Sequence, residues 1–277
     1  IMIGWRGEPG TKDEPQHVHQ GRVMIDSLES MELPYIILSE DEKSAFNQIE
    51  KAQQTSKEKN TPVILIIRKN TFEKFTYKNP VSDYELGREE AIIAVTKATK
   101  DKSAIVCTTG MPSRELFEFR ALNNYRHHRD FLTVGGMGHA SQIALGIAIS
   151  QPNRKIYCFD GDGALLMHMG SIAIIGQSEA RNFVHIVFNN GVHDSVGGQP
   201  TVGFDINFCD IAKACGYKTI SSISKEKDIN QTMLKTNSDD GPHFIEIKIK
   251  PGNRSNIGRP TTSPEDNKRA FVEHLQK

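Results

Sequence analysis

The sequence lacks the features of membrane, disulfide-rich and nucleic-acid-binding proteins. No apolar run approaches the roughly 20 residues that a membrane-spanning helix needs. The four cysteines form no CxxC pair, which favours reduced thiols in a cytoplasmic protein. Lys and Arg number 34, as do Asp and Glu, so no net charge attracts nucleic acid or an anionic membrane surface. We therefore expect a cytoplasmic protein with neither nucleic-acid nor membrane partners.

Apolar runs of strand length alternate with segments of helical periodicity along the 277 residues. Several of the runs are almost continuously apolar, as expected for strands of a parallel sheet that is covered on both faces. This pattern predicts a doubly wound α/β fold with a mostly parallel sheet and helices on both faces. The predicted strands are 34–38, 62–68, 103–109, 130–134, 155–159, 183–188 and 244–249. The predicted helices are 41–58, 83–99, 113–125, 139–150, 164–178, 207–215, 225–235 and 264–276.

The stretch 69–82, "KNTFEKFTYKNPVS", is predicted to link two parts of the chain. Residues 1–68 would then be a partial second α/β unit, and residues 83–277 a complete α/β domain. The opening "IMIGWRGEPG" has no initiating Met and reads like the end of a strand. We therefore expect this sequence to be a piece of a longer chain.

Two predicted strands end in small polar residues. "KIYCFDGDG" spans 155–163 and "FVHIVFNN" spans 183–190. If these strands are parallel neighbours, their ends lie about 5 Å apart and bring Asp162 close to Asn189 or Asn190. Carboxylate and amide oxygens are ligands that suit Mg²⁺ or Ca²⁺. The two strand ends therefore predict a divalent metal site.

The residues after the first strand also suit a phosphate. Gly161 and Gly163 permit a tight turn and a close backbone approach, and the first free N–H groups of the next helix, at Ala164 and Leu165, point at the same place. Each motif alone is more often a plain turn. Together they predict a site for a divalent ion and a phosphate ester.

The Gly-Asp-Gly and Asn-Asn pair resembles the signature of thiamine-diphosphate enzymes. The resemblance implies thiamine diphosphate and Mg²⁺ as cofactors. Asp162, the side chain of Asn190 and the backbone carbonyl of Val192 would bind the metal, and Asn189 would brace the loop. Gly161, Gly163 and Ala164 would contact the cofactor's diphosphate.

The segment "VGGMGHASQIALGIAISQPNRK", 134–155, is similar to the region that precedes this signature in the decarboxylase branch. By that likeness Met137 holds the cofactor bent, and the carbonyl of Gly135 accepts a hydrogen bond from the pyrimidine amino group. Gly136 stands where the family has Ser, which puts one diphosphate contact in doubt. Thr109 and Gly110, at the end of "CTTG", are further cofactor-binding candidates. The alternative is that Met137 is a core residue and the glycines form a turn.

Motifs along almost the whole chain resemble phosphonopyruvate decarboxylases and their sulfopyruvate relatives. They are "IGWRGEPG", "KDEPQHVHQG", "TTGMPSRELFE", "GGMGHAS", "DGDGALLMHMG" and "NNGVHDSVGGQPT". The resemblance implies conversion of 3-phosphonopyruvate to phosphonoacetaldehyde and CO₂, with sulfopyruvate as the alternative substrate. It makes 1–68 the back part of a pyrimidine-binding domain and 83–277 the diphosphate-binding domain. It also implies a homo-oligomer, a dimer or tetramer, with active sites between subunits.

The glutamate that activates the cofactor in this family has no match here, because Glu8 and Glu14 lie in a different motif. We therefore expect the 277 residues alone to be inactive. For the anionic head group of the substrate, the candidates are His193 and the cations of an N-terminal loop. His193 follows Val192 and could act in catalysis or bind the anion, although a loop histidine is more often simply solvated. The N-terminal candidates are Arg6, Lys12, His17 and His19.

Three other interpretations of the sequence compete with a thiamine-diphosphate-dependent decarboxylase. A nicotinamide dehydrogenase is disfavoured because the glycines never complete G-x-G-x-x-G. A non-catalytic module that binds Mg²⁺ and diphosphate, and a structural α/β domain with ordinary turns, remain open on the sequence.

Overall fold

The computed structural model describes residues 1–73, 75 and 82–277, which fall into two compact units, Ile1–Thr76 and Tyr77–Lys277. Half of the predicted linker 69–82 lies outside the described residues. None of the helices in the described part is long and apolar enough to cross a membrane.

The first unit is built around a three-stranded parallel sheet of order β1-β3-β2. Its core lies where Ile64 and Ile66 of the middle strand pack against Leu28. The strands are β1 (Met2–Gly4), β2 (Tyr35–Ile37) and β3 (Ile64–Ile67). The helices are α1 (Pro15–Ser30) and α2 (Glu42–Lys59).

The second unit contains a six-stranded sheet of order β10-β11-β7-β6-β4-β5, in which every pair is parallel. The two middle strands, β7 and β6, are seven and six residues long, and nearly all of their residues are buried. The strands are β4 (Ala104–Cys107), β5 (Asp130–Leu132), β6 (Ile156–Gly161), β7 (Phe183–Asn189), β10 (Thr219–Ile223) and β11 (His243–Lys248). Between β7 and β10, β8 (Val192–His193) and β9 (Gln199–Pro200) form a small antiparallel ribbon.

Helices cover both faces of this sheet. The side chains of β4 alternate: Ile105 and Cys107 face one apolar core, and Ala104 and Val106 face the other. α3, α4 and α9 contribute to the first core, and α5, α6, α7, α8 and α10 to the second. The doubly wound parallel sheet predicted from the sequence is confirmed. The helices are α3 (Arg88–Ala98), α4 (Met111–Leu122), α5 (Ala140–Ser150), α6 (Asp162–Met167), α7 (Ser171–Gln177), α8 (Phe208–Cys215), α9 (Glu226–Ser238) and α10 (Pro264–Leu275).

The main differences from the prediction concern a split helix, a strand and a helix. The helix predicted at 164–178 is interrupted by His168–Gly170, so that α6 and α7 are separate. Strand β10, "TISSI", was not predicted, because two serines among its five residues weaken the apolar signal. Helix α1 was also missed: its sequence mixes histidines, a glycine and charges, so that no apolar stripe stands out.

The missed helix α1 corrects one part of the substrate prediction. His17 and His19 were assigned to a loop, but they lie on α1. Arg6 donates to Asp13 from Nε at 2.8 Å, and His17 Nδ1 lies 3.1 Å from the same carboxylate. Arg6 and His17 are therefore engaged in a local cluster of their own unit.

Candidate active site

The predicted metal ligands lie at the adjacent ends of β6 and β7. These strands pair in parallel, with Gly161 opposite Phe188. Asp162 follows the end of one strand, and Asn190 follows the end of the other. The backbone N–H of Asn190 lies 3.4 Å from Oδ1 of Asp162. The sheet register thus brings the two predicted ligands close together.

Asp162 is a buried carboxylate that forms an ion pair with none of the described residues. Its side chain accepts hydrogen bonds from the hydroxyl of Thr201 and the backbone N–H of Asn190. Burial raises the pKa of Asp162, and these hydrogen bonds offset only part of that rise. Because burial disfavours the charged form of a carboxyl group, a bound divalent cation would be strongly favoured here.

The side chain of Asn190 is held in one orientation. Its Nδ2 donates to Oδ2 of Asp194 at 2.7 Å, while its Oδ1 accepts from the N–H of Val192 at 3.2 Å. The amide oxygen of Asn190 is therefore on the side away from Asp194, where it can bind a metal. Val192 is paired opposite Pro200, which has no N–H and so cannot donate a hydrogen bond to the carbonyl of Val192.

Asn189 braces the loop, as expected. Its Nδ2 donates to the carbonyl of Gly203 at 2.7 Å and to Glu246 at 2.8 Å. Its Oδ1 accepts from the N–H of Gly191 at 3.2 Å. The turn after β7 is thereby tied to β11 and to the segment that follows the β8–β9 ribbon.

A buried ion-pair network lies next to the predicted metal ligands. Arg88 binds both oxygens of Glu115, at 2.9 and 3.0 Å, and its Nη1 donates to Asp194 at 2.7 Å. The N–H of Gly252 also donates to Asp194, at 3.0 Å. Burial raises the pKa of Glu115, and the charge of Arg88 opposes that rise.

The sequence analysis missed Arg88. A weak signal was present, because a cation in the first turn of a helix opposes the helix dipole and needs a specific partner. Its partners, Glu115 and Asp194, lie 27 and 106 residues away in the sequence. Contacts between residues so far apart cannot be predicted from local sequence patterns.

A cavity of about 50 Å³ lies over these residues. Of the predicted site residues, Gly110, Gly135 and Gly136 do not line it. It is lined by Thr109, Met137, Gly161, Asp162, Gly163, Ala164, Asn190, Val192 and His193, together with Arg88, Thr108, Pro112, Phe188, Asp194, Ser195 and Val196. Met137 thus faces the cavity and is not a core residue.

The segment after β8 closes tightly over the cavity. A Cβ placed on Gly163 would lie 2.4 Å from the imidazole of His193, so only glycine fits beneath that ring. Gly110 has a φ of +96°, and a Cβ there would lie 2.3 Å from Oγ of Ser195. This Oγ also accepts from the N–H of Met111 at 3.3 Å. The segment would have to move outward to admit a ligand much larger than the cavity.

The residues present fit a divalent ion and a diphosphate. The donors near Asp162 are oxygens, which Mg²⁺ prefers. The cavity is also lined by the backbone at Gly163 and Ala164, in the first turn of α6, where N–H groups lack partners within the helix. Gly135 is exposed and has a φ of +74°. A Cβ placed on Gly136 would have His139 as its nearest described neighbour, at 3.9 Å.

Residues 108–247 match the family described as "Thiamine pyrophosphate enzyme, C-terminal TPP binding domain". This match covers half of the chain and includes both strand ends. The chain belongs to the thiamine pyrophosphate enzyme family. The cofactor of this family is thiamine diphosphate, which it binds with Mg²⁺, in agreement with the prediction from the sequence.

Among characterised relatives, the chain is similar to decarboxylases. It is 30% identical to the phosphonopyruvate decarboxylase of Streptomyces viridochromogenes, over 98% of this chain and 71% of that protein. It is 32% identical to the sulfopyruvate decarboxylase subunit beta of Methanococcus maripaludis, over 70% of this chain and all of that subunit.

A solved structure agrees on the fold. The thiamine diphosphate-dependent 4-hydroxybenzoylformate decarboxylase of Rhodococcus jostii RHA1 matches with a TM-score of 0.52 at 15% identity. The match covers 66% of this chain, which spans only 36% of that enzyme. At this identity the likeness concerns the fold alone.

Proposed function

We propose that this chain is part of a thiamine-diphosphate- and Mg²⁺-dependent decarboxylase that converts 3-phosphonopyruvate to phosphonoacetaldehyde and CO₂. The observation that carries the proposal is the similarity to a phosphonopyruvate decarboxylase over 98% of this chain. The buried oxygen-donor set at the ends of β6 and β7 supports it independently.

The protein's own residues would hold the cofactor and the metal. Asp162, the amide oxygen of Asn190 and the carbonyl of Val192 bind Mg²⁺ in this proposal. The first turn of α6 receives the diphosphate, and Met137 supports the bent cofactor. Thiamine diphosphate supplies an electron sink for the electron pair that remains when CO₂ leaves a 2-oxo acid.

His193 is the proposed catalytic residue of this chain. It lies next to Val192, and its ring packs over Gly163 at the edge of the cavity. From this position it can donate a hydrogen bond to an anionic substrate or transfer a proton near the reacting carbon. His193→Ala should lower CO₂ release by about 10²–10⁴-fold if the ring transfers a proton, without preventing cofactor binding.

We further propose that residues 1–68 belong to a pyrimidine-binding domain and residues 83–277 to the diphosphate-binding domain. The protein would be a homo-oligomer with sites between subunits. No Glu of these 277 residues matches the activating glutamate, so we expect cofactor binding but no turnover from this chain alone. The cysteines are free thiols in the structure, which supports a cytoplasmic location.

The first experiment is calorimetric titration of thiamine diphosphate into this chain, with Mg²⁺ and with EDTA. Binding only in Mg²⁺ supports the site, and nicotinamide-cofactor binding without Mg²⁺ would contradict it. CO₂ release is then measured with a longer chain that also carries the start of the pyrimidine-binding domain. Phosphonopyruvate, sulfopyruvate and pyruvate serve as parallel substrates.

Sulfopyruvate is the alternative substrate, because a sulfopyruvate decarboxylase subunit matches 70% of this chain. The two substrates differ only in the anionic head group. A kcat/KM for sulfopyruvate that equals or exceeds the value for phosphonopyruvate would assign the protein to the sulfopyruvate enzymes.

A further inference from the structure

A second cavity lies at the opposite end of the sheet from the metal ligands. It has a volume of about 410 Å³ and is bounded by the last turns of α3 and α4 and by the segment that leads into β5. Its lining residues Thr99 and Asp101 precede β4, which begins at Ala104, whereas Thr109 of the candidate active site follows the end of β4. At about 3.3 Å per residue, the length of β4 alone separates the two sites by about 13 Å. We name it the distal cavity.

Positive charge predominates in the distal cavity. Arg120 is paired with both oxygens of Asp130, at 2.6 and 2.8 Å, so this pair is neutral. Lys97 and Arg126 also line the cavity, and neither has a carboxylate partner within residues 1–73, 75 and 82–277.

Arg129 is the third cation of the distal cavity, and its charge is buried. The residue is 6% exposed, and its guanidinium donates to two neutral acceptors, the carbonyl of Lys100 at 2.6 Å and Oγ1 of Thr99 at 2.8 Å. Its nearest carboxylate is that of the exposed Asp101, 3.9 Å away. A buried cation whose hydrogen bonds go only to neutral groups, with its nearest carboxylate exposed, is stabilised by an anion brought beside it.

Two residues of the lining carry a buried polar atom that has no partner. Nδ1 of His128 and Oγ1 of Thr96 are buried and make no hydrogen bond to any described residue. Burial lowers the pKa of His128, with His274 and Arg126 adding to the effect. Both atoms are closed off from solvent, so the cavity offers an anion the charges of Lys97, Arg126 and Arg129 rather than these two atoms.

The cavity also offers a flat aromatic surface. The ring of Tyr125 is 50% exposed, and it meets Phe119 edge-on with a centroid distance of 5.8 Å. A volume of 410 Å³ is within the range of about 300–1,000 Å³ that small-molecule sites occupy. The concave shape therefore favours a small molecule over a protein surface.

We propose that the distal cavity binds a small molecule with at least two negative charges, a phosphate ester or a polycarboxylate. Lys97, Arg126 and Arg129 bind the anionic groups, and Tyr125 stacks on a planar part where the ligand has one. The cavity is separate from the cofactor site, so this proposal does not depend on the proposed catalytic activity.

The test is calorimetric titration of the whole chain with inorganic phosphate, AMP and citrate, at an ionic strength held constant with KCl. Lys97→Ala/Arg126→Ala should weaken binding at least tenfold. Lys227→Ala/Lys268→Ala, which removes two exposed cations elsewhere on the same unit, should leave it unchanged. Equal weakening in both double variants, or no binding of any probe, would overturn the proposal.

The probes and one further variant identify the ligand class. Tighter binding of AMP than of phosphate, lost in Tyr125→Ala, assigns a phosphate ester with a planar group. Tighter binding of citrate than of phosphate or AMP assigns a polycarboxylate. Sedimentation velocity is run on the same samples: if Lys97→Ala/Arg126→Ala dissociates an oligomer and no probe binds, the cavity is a subunit contact and the proposal is wrong. Thiamine diphosphate binding should stay unchanged in every variant, which shows that the cofactor site is intact.

Discussion

Arg88 and Asn190 donate to the same atom, Oδ2 of Asp194, each at 2.7 Å. One carboxylate thus joins a buried guanidinium on α3 to a proposed metal ligand after β7. Since Asp194 occupies the amide NH₂ of Asn190, the amide oxygen is left for the metal. Partners of this kind orient metal ligands and raise affinity.

Asp194→Asn should weaken Mg²⁺-dependent thiamine diphosphate binding by about 10–100-fold, because the amide of Asn190 loses its charged acceptor. Calorimetry over a series of Mg²⁺ concentrations measures the change. Asp210→Asn, which alters a carboxylate of the distant α8, is the matched control. An unchanged Mg²⁺ dependence in Asp194→Asn would show that the network does not act on the metal.

Asp162→Asn should abolish Mg²⁺-dependent cofactor binding and leave the fold intact. In EDTA its thermal midpoint should equal or exceed that of the unmodified protein, because burial raises the pKa of Asp162 and the neutral amide removes that cost. Differential scanning calorimetry with and without Mg²⁺ distinguishes the two effects. A large fall of the midpoint in EDTA would instead make Asp162 a structural residue.

Gly163→Ala should destabilise the domain, because the new methyl group would lie 2.4 Å from the ring of His193 in β8. The double variant Gly163→Ala/His193→Ala should recover most of the lost stability, as a double-mutant cycle measured by urea denaturation would show. Additive effects of the two substitutions would contradict the contact.

Arg88→Met should lower the free energy of unfolding by about 3–5 kcal/mol, because Glu115 would be left buried without a partner. The pKa of Glu115 should then rise further. A carboxyl group whose pKa is raised in the folded state is protonated more readily in the folded than in the unfolded protein. The loss of unfolding free energy should therefore be larger at pH 8 than at pH 5. Urea denaturation at both pH values, with Arg88→Met/Glu115→Gln as the compensated control, tests this sign. A loss that is equal at the two pH values would contradict it.

Stability should fall as the pH drops from about 6.5 to about 4, in part because of His243. Burial, reinforced by Lys155, lowers the pKa of His243 to about 4. Over this range His243 binds a proton in the unfolded state but not in the folded state. The free energy of unfolding then changes by at most about 1.4 kcal/mol per pH unit for one histidine. His243→Gln should flatten the curve, whereas His139→Gln, which changes an exposed histidine, should not. Unfolding midpoints in urea across the range measure the slope.

The central part of the fold and of the site could be predicted from the sequence because the signal there is local. Strands β6 and β7 are almost continuously apolar and end in Gly-Asp-Gly and Asn-Asn, so Asp162 and Asn190 stand out without any knowledge of the packing. The interrupted helix at His168–Gly170 lies in the same region, but both halves keep an apolar side, and periodicity alone does not show the break.

The elements that were missed depend on distant contacts. Strand β10 is half polar and is specified by pairing with β11, and helix α1 is stabilised by packing of its unit. Arg88 and Asp194 meet across 106 residues. Closure of the loop at Ser195 over Gly110 likewise arises from tertiary packing, which no motif encodes.

The strands that precede Asp162 and Asn190 are the two innermost of the six, and each has a hydrogen-bonded neighbour on both sides. Fraying of the edge strands β5 and β10 would leave both proposed ligands in place, so they should separate only when the whole sheet opens. Mg²⁺ and cofactor should therefore slow hydrogen exchange most in the amides that open only on global unfolding. The slowest-exchanging amides of β6 and β7 would then report ligand binding as an increase in the stability of the entire domain.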